Sequence, residues 1–165
     1  MRFTEGFNPK PKMEFSRPLS LGVASDGEYM AAEISSSEDI GVLKERLNKA
    51  VPEGFCVQSL SKMRKFETKD SIMRRYWGAD YIISSESESV IAEIRSILPD
   101  YMDVLEKKDN RLYIRVEEGS GKGPSPAKFF QKYTEVYTLK RIIQYARSNS
   151  GGESYSRYED VYCYP

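Results

Sequence analysis

The chain has 165 residues with 25 basic and 25 acidic side chains, and its 39% hydrophobic and 30% charged content is typical of a folded globular protein. Histidine is absent, which removes the commonest general base and the commonest metal ligand and so excludes Ser-His-Asp, Cys-His and the usual zinc sites. Two cysteines form no disulfide framework or iron–sulfur motif, and no apolar run resembles a membrane span or a signal peptide, so we expect a cytoplasmic protein with no membrane contact and no cofactor in this chain.

The first third of the chain predicts two strands, a helix and a third strand. The strands are residues 12–16, 28–34 and 55–63. The helix follows a Ser-Ser-Glu-Asp cap at residues 36–39, and Pro52 with Gly54 ends it. Its apolar residues recur at helical spacing, at Ile40, Leu43, Leu47 and Val51.

The second part of the chain opens with residues 68–77, which predict a short helix or a bridging loop. The elements after it are a strand at 79–84, a helix at 86–98, a hairpin of strands at 101–107 and 111–117, a helix from 125 to near 133, and a strand at 136–147. Simple alternation places Arg141 and Tyr145 on one face of the last strand. The order strand, helix, strand, strand, helix, strand is the split β-α-β, or ferredoxin-like, pattern.

These elements predict an α+β protein built from tandem ferredoxin-like units with antiparallel sheets, the first unit lacking its initial strand and helix. The expected boundaries are a truncated unit at 1–67, a basic-aromatic connector at 68–78, a second unit at 79–147 and a flexible tyrosine-rich tail at 148–165. One continuous mixed sheet is the alternative. A truncated unit leaves a sheet edge and an apolar face uncovered, so a partner chain or a homodimer through that edge is expected.

The sequence Gly-Phe-Asn-Pro-Lys-Pro-Lys at residues 6–12 is the most unusual stretch. Two prolines stiffen it and Gly6 permits a tight turn. Arg2, Lys10 and Lys12 would then present cations to an anion or a nucleic-acid backbone. The alternative is a rigid turn that leads into a strand, with solvated lysines.

Residues 62–77 are the second candidate, because six basic side chains stand there beside Phe66, Tyr76 and Trp77. The alternative is a charged linker whose aromatic side chains pack on the sheet. The glycine-rich stretch 119–123 departs from the Walker pattern and predicts a flexible connection. Glu117 and Glu118 are expected to face solvent, and no residue is assigned as catalytic or as a metal ligand.

The segments 3–12, 18–23 and 27–29, with Leu47-Asn48 and residues 51–55, resemble the bacterial radical SAM-associated (radical SAM-linked) protein family, a domain of unknown function. Members usually carry a further strand and helix before the GFNP motif, so relative to the family this chain is N-terminally short. The family often has histidine where Lys10 stands. The resemblance implies a radical SAM enzyme as partner, and the family's gene neighbourhoods, with ribosomal-protein and ribonuclease genes, imply RNA.

We therefore expect an accessory RNA-binding or substrate-presenting module that acts with a radical SAM enzyme in RNA modification or ribosome-related metabolism, rather than an enzyme in its own right. The expected nucleic-acid contacts are Arg2, Phe7, Asn8, Lys10, Lys12, Arg64, Lys65, Arg74, Arg75 and Tyr76. A scaffold that docks the radical SAM partner without touching RNA is the alternative. An RNA-directed enzyme that uses tyrosine or lysine as acid or base is the third.

Overall fold

The computed structural model describes residues 2–63, 71–119, 125–131, 137–148 and 154–163. The elements in chain order are β1 (Met13–Phe15), β2 (Val23–Ser25), β3 (Met30–Ala32), α1 (Ile40–Ala50), β4 (Tyr76–Ser84), α2 (Glu88–Ser96), β5 (Met102–Lys108), β6 (Arg111–Glu117), α3 (Pro126–Phe130), β7 (Thr138–Arg147), β8 (Tyr155–Arg157) and α4 (Tyr158–Tyr162). The protein is α+β, as the sequence predicts. No helix in these described ranges combines the length and apolar character that a bilayer crossing requires.

One mixed sheet dominates the fold, with the strand order β2-β7-β4-β6-β5 and with β8 also paired to β7. The pairs β4–β6, β4–β7 and β5–β6 are antiparallel, whereas β2 runs parallel to β7. The β5–β6 turn places Asp109 at φ 51°, a left-handed conformation that aspartate tolerates better than most residues. β2 and β8 lie against different stretches of β7, so both halves of the chain share this sheet.

The apolar core lies on one face of the sheet. Ile83, Leu112 and Ile114 are fully buried there, and α2 covers them with Ile91 and Ile94. The three-residue spacing of those two isoleucines places them on one side of the helix. Each fully buried isoleucine contributes roughly 1.5–3 kcal/mol relative to exposure.

The first third of the chain does not form the predicted three-stranded sheet within the described residues. β1 pairs only with β3, while residues 23–25, which the sequence leaves in a loop, form β2 on the other sheet. Residues 55–63 contain no strand beyond an isolated bridge between Met63 and Cys163. Within this stretch the backbone of Val57 is bound by a side chain instead, because Asn48 near the end of α1 bonds both its N–H, at 2.7 Å, and its carbonyl, at 3.2 Å.

Residues 154–163 fold onto the sheet, so the flexible tail predicted for this stretch is corrected. β8 pairs with β7, and Tyr158 of α4 is 1% exposed. The Tyr158 ring stacks on Tyr29 at 4.8 Å between centroids, and its hydroxyl donates to the Ile72 carbonyl at 2.7 Å. Aromatic burial therefore orders a segment whose glycine- and serine-rich composition predicts a loose end. Residues 149–153 and 164–165 lie outside the described residues.

A buried arginine joins the two halves of the chain. Arg141 on β7 is 1% exposed, and its Nη2 donates to both carboxylate oxygens of Glu28, at 2.6 and 2.5 Å. A second link follows beside it, because the Ser16 hydroxyl donates to Gln144 Oε1 at 2.9 Å and Gln144 Nε2 donates to the Gly27 carbonyl at 2.8 Å. These bonds hold residues 16–28 against β7.

We expect Glu28→Gln to destabilise the protein by roughly 2–3 kcal/mol, because Arg141 then stays buried without its counter-charge. Urea unfolding followed by circular dichroism measures the change. Asp26→Asn is the matched control, since Asp26 meets Lys140 at 2.6 Å with both side chains about half exposed, and its loss should cost below about 1 kcal/mol. Equal losses in the two variants would contradict the central place given to Arg141.

Candidate functional site

The GFNP segment forms the tip of a hairpin. The Thr4 N–H donates to the Lys10 carbonyl and the Lys12 N–H donates to the Arg2 carbonyl, each at 2.8 Å. Gly6 lies at φ 129°, a backbone conformation that residues other than glycine rarely adopt. The ring of Phe7 next to it is fully exposed. The hairpin thus displays an aromatic ring at its end.

The cations of this hairpin differ in their surroundings. Arg2 and Lys12 approach the same carboxylate, that of Glu33, at 3.9 and 3.7 Å, in exposed ion pairs that contribute little to stability. Lys10 is exposed and forms no ion pair with any described residue. The structure therefore brings Arg2, Phe7, Asn8, Lys10 and Lys12 together on one exposed hairpin.

The side chains of the basic-aromatic connector differ in how deeply they are buried. Arg74 is exposed, but Arg75 is 8% exposed and donates from Nη1 to the Ser148 carbonyl at 2.9 Å. Tyr76 is 3% exposed because it opens β4 with its ring in the core. The burial of both side chains contradicts the prediction that Arg75 and Tyr76 contact nucleic acid. Arg64 and Lys65 lie outside the described residues.

An apolar face is exposed on the small β1–β3 sheet. Phe15 stands directly opposite Met30, and Met13 opposite Ala32, so these four side chains share one face. Phe15 is 54% exposed, Met30 46% and Met13 39%. We call this surface the outer face. These neighbouring exposed apolar side chains make the outer face a candidate interaction surface.

A cavity of about 380 Å³ lies between residues 17–23 and the large sheet. Its polar lining consists of Arg17, Ser20, Tyr81, Glu118, Ser125 and Arg141. Its apolar lining consists of Pro18, Leu19, Val23, Met73, Pro126 and Ala127. Both halves of the chain and the start of α3 contribute to these walls, so the cavity exists only in the complete fold.

Glu118 is the buried carboxylate of the cavity, at 5% exposure. It accepts hydrogen bonds from the hydroxyls of Tyr76, at 2.5 Å, and Tyr81, at 2.8 Å. Burial raises the pKa of both phenols well above the ordinary value, and the Glu118 carboxylate raises each pKa further, so both tyrosines stay protonated donors. Glu118 takes part in no ion pair with the described residues.

Backbone geometry turns Glu118 inward. Its N–H and that of Gly119 both donate to the Trp77 carbonyl, at 3.0 and 2.8 Å. A Cβ on Gly119 would meet the Tyr76 carbonyl oxygen at 2.0 Å, and a Cβ on Gly78 would meet the Val116 carbonyl at the same distance. Glycine is therefore required at both positions, because the two strands approach each other so closely here. The sequence expectation that Glu118 faces solvent is wrong for this reason.

Arg141 is the buried cation of the cavity. Burial lowers the pKa of its guanidinium, but the hydrogen bonds to Glu28, together with electrostatic attraction from Tyr81, Glu28 and Tyr76, outweigh that effect and raise the pKa above its ordinary value, so the group stays charged. Nε donates to Glu28 at 3.2 Å, and Nη2 donates to Glu28 and to the Arg17 carbonyl, the latter at 2.9 Å. Nη1 takes part in none of the hydrogen bonds among the described residues.

A second polar cluster lies on the opposite face of the sheet. Arg115 binds Asp80 through two nitrogens, at 2.7 and 2.8 Å, and Tyr145 donates to the same carboxylate at 2.7 Å. Trp77 stacks on Tyr155 at 3.7 Å, so Trp77 packs on the sheet as the alternative interpretation predicts. Because the charges of Asp80 and Arg115 satisfy each other, we assign this cluster a structural role.

A β-bulge separates the two clusters. Asp80 pairs with Ile143 while Tyr81 pairs with Arg141, so Ile142 is the extra residue on β7. The extra residue reverses the alternation, and Arg141 and Tyr145 therefore lie on opposite faces rather than on one face as the sequence predicts. In the sequence, the special position of Arg141 is indicated only by its charge, because it interrupts the apolar alternation of the predicted last strand.

The described residues contain no cluster of potential metal ligands. Within the part of the chain that the structure describes, no three Asp, Glu or Cys side chains come together as a metal site would need. The cavity instead offers a carboxylate, a guanidinium and a phenol, which together donate and accept hydrogen bonds.

Alkaline pH should destabilise the protein through its buried phenols. Burial, with the hydrogen bond to Asp80, raises the pKa of Tyr145 from 10.0 to about 12. A raised pKa in the folded state means that this contribution is complete below pH 10 and is lost as the pH rises toward 12. The free energy of unfolding of Tyr145→Phe should therefore fall less steeply across this range than that of the wild type. Identical pH slopes would contradict the assignment.

Comparison with known proteins identifies a family for this chain. The model of a family described as an uncharacterized protein conserved in bacteria (DUF2344) matches residues 1–123, which include the GFNP hairpin, the outer face and Glu118. No curated protein and no solved structure matches the chain. Since the match spans well over half of its length, the chain belongs to this family of uncharacterized proteins conserved in bacteria.

Proposed function

We propose that this protein is an accessory module that binds RNA, or presents another substrate, for a radical SAM enzyme. The resemblance of the GFNP segment to the radical SAM-linked family supports the choice of partner. Membership in a bacterial family of uncharacterized proteins is compatible with that resemblance and adds nothing on the ligand. The support for RNA comes from the hairpin.

The observation that carries the proposal is the full exposure of Phe7 on a braced hairpin beside Asn8 and Lys10. Backbone hydrogen bonds fix the hairpin so that the Phe7 ring stays exposed to solvent, where an unpaired base can stack on it. Such stacking contributes about 1–3 kcal/mol. Lys10 lies where it would neutralise a phosphate, with Arg2 and Lys12 at the base of the hairpin. An aromatic tip with nearby cations suits single-stranded RNA.

The fold is compatible with this proposal. Residues 76–147 run strand, helix, strand, strand, helix, strand, and their sheet order β7-β4-β6-β5 supports a ferredoxin-like plan for the second unit. We also propose the tandem arrangement of two ferredoxin-like units. In it the first unit is incomplete, because its strand β2 pairs with β7 in the sheet of the second unit. Fold likeness alone does not define function, so the weight stays on the hairpin.

Fluorescence polarisation with small single-stranded RNAs across a salt series tests the hairpin. Phe7→Ala should weaken binding about tenfold to a hundredfold with an unchanged salt slope, because stacking is lost while the charges remain. Lys10→Ala should reduce the salt slope by about one, because one phosphate contact is lost. Lys49→Ala on α1 is the control for a generic exposed lysine. Unchanged affinity in both hairpin variants, or no binding by the wild type at low salt, would refute this function.

A protein scaffold is the second candidate, and the outer face favours it. Phe15, Met30 and Met13 form an apolar surface of the kind that protein interfaces bury. In this version the outer face docks the radical SAM enzyme and the hairpin does not touch RNA.

Co-purification with the radical SAM enzyme encoded by the same bacterium tests the outer face. Phe15→Glu should abolish co-purification, because a carboxylate would be buried without a partner. Leu105→Glu is the matched control, since Leu105 is an apolar side chain of β5 with 47% exposure on another part of the surface. Loss of the complex in both variants, or in neither, would exclude docking at the outer face.

A further inference from the structure

The cavity between residues 17–23 and the large sheet holds two buried charges that do not neutralise each other. Arg141 and Glu118 both line it, yet no ion pair or hydrogen bond joins them. Hydrogen bonds to neighbouring residues hold each group in place. Arg141 donates to Glu28, and Glu118 accepts from Tyr76 and Tyr81. Neither can therefore swing out to reach water without breaking buried hydrogen bonds.

Both groups keep hydrogen-bonding capacity that the described residues do not use. Nη1 of Arg141 has two N–H donors and no partner among those residues. Glu118 has about four lone-pair sites, of which two phenols occupy two. Because both side chains line the cavity, water or a ligand in the cavity can use this remaining capacity. The cavity thus presents a donor and an acceptor to one ligand.

The charges around the cavity favour a ligand with no net charge. Two cations, Arg17 and Arg141, stand with two carboxylates, Glu28 and Glu118. An added phosphate would meet Glu118, and an added ammonium would meet Arg141. A neutral group with an acceptor next to an N–H donor satisfies both at once.

The remaining walls restrict the ligand further. Val23, Met73, Pro126 and Ala127 are apolar, and exposed Arg17 and Ser20 leave the rim accessible. The volume of about 380 Å³ lies at the small end of ligand cavities, which run roughly 300–1,000 Å³. A flat apolar body with one hydrogen-bonding edge fits these walls, and that is the chemistry of a nucleobase.

We propose that this cavity binds a nucleobase, with Glu118 accepting from a ring or exocyclic N–H and Arg141 Nη1 donating to the neighbouring acceptor. The inference rests on the proposed RNA-binding function, in which the hairpin would hold the strand and the cavity one unstacked base. Val23 and Met73 would pack against the faces of the base.

Calorimetric titration of the intact protein with guanosine, uridine, adenosine and cytidine, and with ribose, tests this assignment. At least one nucleoside should bind the wild type and ribose should not, because ribose lacks the edge that both groups recognise. Glu118→Gln should weaken nucleoside binding about tenfold or more, because an accepting carboxylate is replaced by an amide. Glu117→Gln is the matched control, because it makes the same change one residue away, outside the cavity lining.

A second variant guards against a folding defect in Glu118→Gln. Ala127→Phe fills the cavity from α3 and leaves both charges in place, so it should abolish nucleoside binding with an unchanged unfolding midpoint. No binding of any nucleoside by the wild type overturns the assignment, as does binding that survives both cavity variants.

The RNA series separates this inference from the function on which it rests. RNA binding that is lost in Phe7→Ala but unchanged in Glu118→Gln leaves the hairpin function standing and removes the base site. Nucleoside binding that needs Glu118, in a protein that binds no RNA, keeps the cavity and removes the RNA function.

Discussion

The ion pair between Arg141 and Glu28 is the constraint on which the rest of the structure depends. It buries one guanidinium completely and thereby fixes residues 16–28 against β7. β2 can then run parallel to β7, with Val23 paired to Leu139 and Ser25 to Arg141 itself. Removing a charged partner at such a site costs far more than removing an exposed pair, because the remaining charge has no access to bulk water.

The same link explains why the first third of the chain stays open. Because β2 is part of the large sheet, β1 and β3 pair only with each other among the described residues, and α1 buries none of its residues. Apolar side chains of β1 and β3 are consequently left on the outer face. The cavity arises from the same arrangement, since residues from 17–23 line it together with Tyr81 of β4 and Arg141 of β7.

The two proposed functions use different surfaces of the first third of the chain. The hairpin and the outer face belong to the first third of the chain, whereas the cavity needs residues from both halves. RNA stacked at Phe7 would use the hairpin, and a docked enzyme would use the outer face, so the two candidates do not exclude each other by geometry. The matched family region contains the hairpin and Glu118 but ends before Arg141, which lies on the last long strand.

Local patterns in the sequence were enough to determine the α+β class, the helices α1 and α2, the β5–β6 hairpin and the strand β7, because spacing, capping and turn residues act over a few positions. They also determined that histidine chemistry is absent. Only the tertiary structure decided that β2 pairs with β7, that Tyr158 is buried, and that Glu118 and Arg141 meet at one cavity. Those outcomes depend on partners over a hundred residues away or on the single extra residue of the β7 bulge, and neither leaves a periodic signal in the sequence.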